Sequence, residues 1–130
     1  MQTITLPRSG QAPLQFTGEQ IASADSRDPQ GPCQTRWHEL AIYRTESGRL
    51  VLALEYQTQW QGEHDRSHAL VCETPADLLE RLATVDPLSD LIGFPPGAQF
   101  DAKRLHTEKC LRQCWEGAVS ELLADFPEEI

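Results

Sequence analysis

Residues 36–57 of the chain are RWHELAIYR, then TESG, then RLVLALEYQ, and this stretch decides the fold. Apolar side chains recur at every second position in both runs, which is the pattern of β-strands in a sheet. A short segment that ends in glycine separates the two runs, as in the turn of a β-hairpin. We therefore expect antiparallel strands over residues 36–44 and 49–57, joined by residues 45–48.

Both faces of this hairpin carry apolar side chains. Two apolar faces indicate strands at the centre of a sheet, covered on more than one side. The expected first face holds His38, Leu40, Ile42, Leu50, Leu52, Leu54 and Tyr56, and the second holds Trp37, Glu39, Ala41, Tyr43, Val51, Ala53 and Glu55.

Weaker strand patterns flank the hairpin. Alternation from residue 14 to residue 21 is interrupted at Gly18, which predicts a strand with a bulge at the glycine. Residues 67–73 predict a last strand, and residues 3–6 predict an additional edge strand. Residues 24–35 are polar and contain two prolines and a glycine, so we expect a long surface loop there.

After residue 73 the pattern becomes helical. Thr74 is a good N-cap and Pro75 fits the first helical position, which predicts a helix to about residue 85. An apolar connector over residues 86–97 precedes a longer amphipathic helix over roughly residues 101–126. The expected structure is a single α+β domain over residues 1–130. In it a four- or five-stranded antiparallel meander, β-rich over residues 1–73, packs on two C-terminal helices in residues 74–130.

The charge balance limits the classes of partner. Eleven Lys and Arg residues stand against 20 Asp and Glu residues, which gives a net charge of −9. This field repels phosphate backbones and anionic lipid headgroups, so it disfavours direct binding of nucleic acid or membranes. The same field attracts a basic protein, including one that itself binds nucleic acid.

The cysteines and the N-terminus indicate the compartment. The segment Met1–Pro7 is too short and too mixed for an export signal, which favours a cytoplasmic protein whose four cysteines are free thiols. His106, Cys110 and Cys114 recur every four residues on the long helix and are the candidate metal ligands. Because no Cys-x2-Cys pair is present, we expect small thiols at the helix margin rather than a metal, and no cofactor.

Catalysis is the alternative class of function. Cys33, His38 and His64 could do polar chemistry in a pocket between the sheet and connector 86–97, which would make the chain a small-molecule or metal-binding domain or an enzyme. His64 and His68 also have a four-residue spacing, but residues so spaced in an extended chain lie over ten ångströms apart. Since no nucleophile elbow and no glycine-rich phosphate loop occur, the sequence favours a binding function over an enzyme.

The aromatic residues favour a protein-binding surface. If the helices cover the leucine-rich face, Trp37 and Tyr43 lie on the opposite face, and Trp60 lies at the tip of the next turn. Contiguous exposed apolar surface commonly marks an interface, and Trp and Tyr are frequent anchors in one. We therefore expect an acidic adaptor, regulator or inhibitor that binds a protein through Trp37, Tyr43 and Trp60. The other expectations for this face are a cover formed by the N-terminal segment, or a homodimer.

Overall fold

The computed structural model describes residues 2–27, 36–59, 65–86 and 102–126. All five strands of the described chain belong to one antiparallel sheet, in the order β1-β2-β3-β4-β5, so the expected α+β meander with two C-terminal helices is confirmed. The elements are β1 (Gln2–Arg8), β2 (Gln11–Asp25), β3 (Arg36–Thr45), β4 (Leu50–Thr58), β5 (Arg66–Cys72), α1 (Pro75–Thr84) and α2 (Ala102–Asp125).

The central hairpin has a shorter turn than the sequence predicted. Thr45 belongs to β3, and its backbone N–H donates to the carbonyl of Arg49 at 2.8 Å. The turn is therefore the three residues Glu46, Ser47 and Gly48. Gly48 closes it with a φ of 89°, a conformation in which glycine carries no steric cost. The register that follows places Glu39 opposite Glu55 and Leu40 opposite Leu54.

Strand β2 is long because it pairs with two neighbouring strands, one after the other along its length. Its first part pairs with β1 up to Gly18, and its second part pairs with β3 from Gly18 to Asp25. A Cβ atom at Gly18 would overlap the backbone carbonyl oxygen of Arg44, so this crossing point requires glycine. The expected bulge is displaced, because the register shifts between Gln20 and Ala22 rather than at Gly18. Residues 24 and 25 continue the strand, so the expected loop over residues 24–35 begins later than predicted.

The sheet curls until its outer strands meet. The backbone N–H of Ser9, next to β1, donates to the carbonyl of Ser67 in β5 at 2.7 Å. In return, the N–H of Ser67 donates to Oγ of Ser9 at 2.8 Å. Two hydrogen bonds thus connect the two ends of the meander.

One face of the sheet forms the main core with the helices. Helix α2 lies across β2 and β3, and α1 lies against β4 and β5. His38, 5% exposed, belongs to this core, where its ring lies 5.3 Å from that of Tyr56 and 5.0 Å from that of Trp115. The core cluster contains Ala22, Leu40, Ile42, Leu50, Leu52, Leu54, Cys72, Leu78, Leu82, Trp115, Ala118 and Leu122.

The N-terminus of α1 has the capping chemistry that the sequence predicted. Thr74 is the N-cap, with extended backbone, and its Oγ1 accepts from the N–H of Asp77 at 3.1 Å. Asp77 in turn accepts from the N–H of Glu73 at 3.1 Å. Within the described parts of the chain, neither helix is long and apolar enough to cross a membrane.

Candidate functional site

The face of the sheet opposite the helices, called here the helix-free face, is built by strand alternation. Because successive residues point to opposite faces, Trp37, Glu39, Ala41 and Tyr43 of β3 all lie on it. Glu39 is flanked by Asp25 of β2 on one side and Glu55 of β4 on the other. A row of three carboxylates therefore crosses three adjacent strands.

The N-terminal part of the chain covers this face in part. Phe16 of β2 packs edge to face on Tyr43, with ring centroids 5.7 Å apart and an interplanar angle of 73°. Val51 of β4 is only 1% exposed although it faces away from the helices. The expected cover by the N-terminal segment thus applies to the part of the face around Tyr43 and Val51.

A groove of about 540 Å³ contains the carboxylate row of this face and is also lined by Leu40 of the core side and Glu121 of α2. Its described lining contains four carboxylates and no Lys or Arg, so its electrostatic character is negative. The lining residues are Leu6, Gln20, Ser23, Ala24, Asp25, Glu39, Leu40, Ala41, Tyr43, Ala53, Glu55 and Glu121.

Glu55 has a raised pKa within the groove, and Glu39 contributes to the shift. Partial burial raises the pKa of Glu55, and the negative charge of Glu39 raises it further. The amide of Gln57 opposes this effect by donating to Oε2 of Glu55 at 3.0 Å. Like charges directly opposite each other on adjacent strands are destabilising, so this pair costs the fold stability.

Tyr43 lies at one end of the groove and responds to the same charge. Partial burial raises the pKa of its phenol above the usual value of 10.0, and the charge of Glu55 adds to this shift. The phenol is therefore protonated at neutral pH and can donate a hydrogen bond. Tyr43 thus offers an aromatic ring and a donor at the edge of a negative groove.

Trp37 carries a cation from its own chain. The guanidinium carbon of Arg27 lies 4.2 Å from the centroid of the Trp37 ring, a cation–π contact. Trp37 lies on the helix-free face, two positions before Glu39 in β3. A cation bound on the Trp37 ring therefore lies next to the carboxylate row. Trp60, the third expected contact, lies outside the described residues, as do Cys33, His64 and residues 87–97 of the connector.

Sequence reasoning named the aromatic residues of this site and missed its charged pair. It assigned Glu39 and Glu55 to the correct face and did not place them opposite each other. The expected four-residue turn would place Glu39 opposite Leu54, which the alternation assigns to the other face, so these two expectations disagree. The faces are right, and the loop between Thr45 and Arg49 has three residues, which places Glu39 opposite Glu55.

The candidate metal ligands on α2 lie together only in part. Nε2 of His106 lies 3.6 Å from Sγ of Cys110, and neither Cys110 nor Cys72 forms a disulfide. Cys114 is disulfide-bonded, so the expectation of four free thiols is wrong for this residue, and Cys114 offers no thiolate to a metal in this state. No group of three or more metal-binding side chains occurs within the described ranges.

A second groove, of about 440 Å³, lies between the two helices. This groove is mainly apolar. Leu79 lies on its rim and is a large apolar side chain that is 45% exposed. Val85, Trp115, Val119 and Leu123 contribute to its walls. This groove lacks the opposed carboxylates that distinguish the groove on the helix-free face.

Comparisons with family models, with curated proteins and with solved structures found no match to this chain.

Proposed function

We propose that the protein is a small acidic interaction protein, an adaptor, regulator or inhibitor, whose helix-free face binds a basic protein. One observation carries the proposal: Glu39 and Glu55 lie opposite each other in a half-open groove whose described lining has no basic residue. The pair is unfavourable in the isolated chain, and a partner that brings a cation converts the repulsion into attraction.

The carboxylates attract a basic partner both at short range and at long range. At short range, a Lys or Arg side chain in the groove would form charge-assisted hydrogen bonds with both carboxylates, which are stronger than bonds between neutral groups. At long range, the net charge of −9 speeds the encounter with a basic surface. Both effects select the same kind of partner.

Tyr43 and Trp37 are the proposed aromatic contacts beside this charge. Tyr43 is half-buried against Phe16, which fixes its ring and lowers the entropy cost of using it as an anchor. Trp37 already carries the guanidinium of Arg27 on its ring, so its surroundings accommodate a cation. Trp60 lies outside the described residues and is kept as a proposed contact on its sequence alone.

Recovery of the tagged protein from the cells that make it, followed by native mass spectrometry, tests the proposal. The unmodified chain is expected to retain a discrete basic polypeptide, and the double variant Glu39→Gln, Glu55→Gln is expected to lose it. Glu80→Gln, an exposed carboxylate on α1, is the matched control for charge and is expected to retain the partner.

One further variant separates the two grooves as binding surfaces. Leu79→Ser alters the groove between the helices and is expected to leave recovery unchanged. The proposal is wrong if Leu79→Ser loses the partner while the double variant keeps it. It is also wrong if the chain retains only a second copy of itself, or only a metal or a small molecule.

A further inference from the structure

The second part of β2 has a neighbouring strand on one side only. Residues 11–18 pair with β1, whereas residues 18–25 pair with β3 on the other edge. From Glu19 to Asp25, the edge of β2 that faces away from β3 therefore has no strand beside it in the described structure. Such an edge is a template for pairing with another chain.

The alternation of backbone groups along β2 identifies which N–H and C=O groups point to this edge. The N–H of Ser26 points to β3, where it donates to the carbonyl of His38 at 2.8 Å. In antiparallel pairing the residues that point to a given neighbour alternate, so Ser23 and Asp25 point their N–H and C=O groups to the open edge. Both residues are exposed. The N–H of Arg27, next in this series, is satisfied by Oδ1 of Asp25 at 3.2 Å.

We propose that this edge of β2 receives an extended segment of the basic partner as a sixth strand, with Lys or Arg at alternate positions of that segment. The inference rests on the proposed function and specifies how the partner binds. Ser23 and Asp25 supply the backbone hydrogen bonds, and they also line the groove that contains Glu39 and Glu55. Because strand side chains alternate between faces, every second side chain of the added strand lies on the face that carries the carboxylate row.

Charge complementarity favours a basic segment over a second copy of this chain. Two β2 edges paired with each other would bring Glu19 and Asp25 of one copy near the same carboxylates of the other, and like charges across a strand pair are destabilising. Protein edges that avoid pairing commonly carry Lys or Pro. Residues 19–25 carry neither. The bulge between Gln20 and Ala22 divides the pairing of β2 with β3 into residues 18–20 and residues 22–25, and the second is the longer regular stretch.

The test uses the full chain and an array of ten-residue peptides that carry Lys or Arg at alternate positions and varied residues between them. The tightest peptide is then measured by fluorescence anisotropy in three forms: unmodified, N-methylated at alternate backbone amides on one edge, and N-methylated at the amides of the other edge. N-methylation removes hydrogen-bond donors and leaves the charge unchanged. We expect one of the two methylated peptides to bind at least tenfold more weakly.

A variant of the protein provides an independent measurement. Ser23→Pro removes the N–H that points to the open edge and spares the bonds to β3, and proline is tolerated at such edge positions. It is expected to weaken binding at least tenfold relative to Ser23→Ala. The peptide experiment covers the case in which Ser23→Pro does not fold, because methylation changes only the peptide.

The outcomes distinguish the two proposals. If Glu39→Gln with Glu55→Gln abolishes binding while N-methylation and Ser23→Pro have no effect, the groove binds cations and strand addition is wrong. If no peptide of the array binds, or if peptides with Glu in place of Lys bind equally well, both proposals are wrong. Self-association through the edge, seen as a dimer in sedimentation that the peptide does not dissociate, also overturns strand addition.

Discussion

Glu39 and Glu55 occupy directly opposite positions on β3 and β4, and both carboxylates face the side of the sheet that has no helix. The electrostatic predictions for the site follow from this pairing. Each carboxylate raises the energy of the other in its charged form, so the free protein holds a local electrostatic penalty that a bound cation would remove.

The pairing predicts an unusual dependence of stability on pH. Because the pKa of Glu55 is raised above its ordinary value of 4.5, the folded protein binds a proton more readily than the unfolded chain between 4.5 and the raised value. This contribution to stability is present at low pH and is lost as the pH rises through the raised pKa. Glu55→Gln should therefore be more stable than the unmodified protein at pH 7, and the difference should shrink as the pH falls through the raised pKa of Glu55.

Thermal melting at several pH values measures this difference. Glu80→Gln, which removes an exposed carboxylate on α1, is the control and should show no comparable trend. A difference between Glu55→Gln and the unmodified protein that stays constant with pH, or that grows as the pH falls, would contradict the proposed origin of the shift.

Replacement of glycine by alanine should change the free energy of unfolding in opposite directions at Gly18 and at Gly117. Gly18→Ala places a Cβ against the backbone carbonyl of Arg44, which cannot move without disrupting the pairing of β2 with β3. Such overpacking should lower the free energy of unfolding by about 1–3 kcal/mol. Gly117→Ala lies on α2 with nothing within 4 Å of the added atom, and alanine should raise it by about 1 kcal/mol through helix propensity. Chemical denaturation of both variants checks the signs, and equal signs would refute the account.

Removal of the N-cap of α1 should lower the free energy of unfolding by a modest amount. Thr74→Ala removes the oxygen that accepts from the N–H of Asp77, and should lower the free energy of unfolding by about 1 kcal/mol. Thr74→Ser keeps that oxygen and should restore most of the loss. Urea denaturation distinguishes the two variants, and an equal loss in both would assign the effect to the methyl group of Thr74 instead of its hydroxyl.

Two leucines contrast the core with the groove between the helices. Leu52 is fully buried, and Leu52→Ala should lower the free energy of unfolding by about 2–5 kcal/mol because it leaves a cavity. Leu79 is largely exposed, and Leu79→Ala should change the same quantity by less than about 1 kcal/mol. A large loss for Leu79→Ala in denaturation would mean that the groove is filled in solution.

The sequence predicts the parts of this fold that depend on neighbours in the chain. Alternation in residues 36–57 assigns each side chain of the hairpin to a face, and Thr74 and Pro75 mark the start of α1. Cross-strand pairing is harder, because one residue more or less in the turn changes which residues lie opposite Glu39. The pattern gives the faces, and the turn hydrogen bond of Thr45 gives the register.

Features that join distant parts of the chain leave no local pattern. The open edge of β2 exists because β1 is shorter than β2 and pairs with only the first part of it. Nothing within residues 19–25 alone reports that arrangement. The disulfide of Cys114 also leaves no signal in the four-residue spacing along α2, which describes only the neighbours of Cys114 on the helix.

The hydrogen bonds between Ser9 and Ser67 also affect the order in which the protein folds. They join residues 58 positions apart, whereas the hairpin of β3 and β4 closes over a turn of three residues. Loop-closure entropy makes such distant contacts late events, formed after the local hairpins are in place. Interactions absent from the folding transition state act mainly on the unfolding rate. Ser9 and Ser67 therefore slow the opening of the sheet, while the speed of its formation depends on the central hairpin.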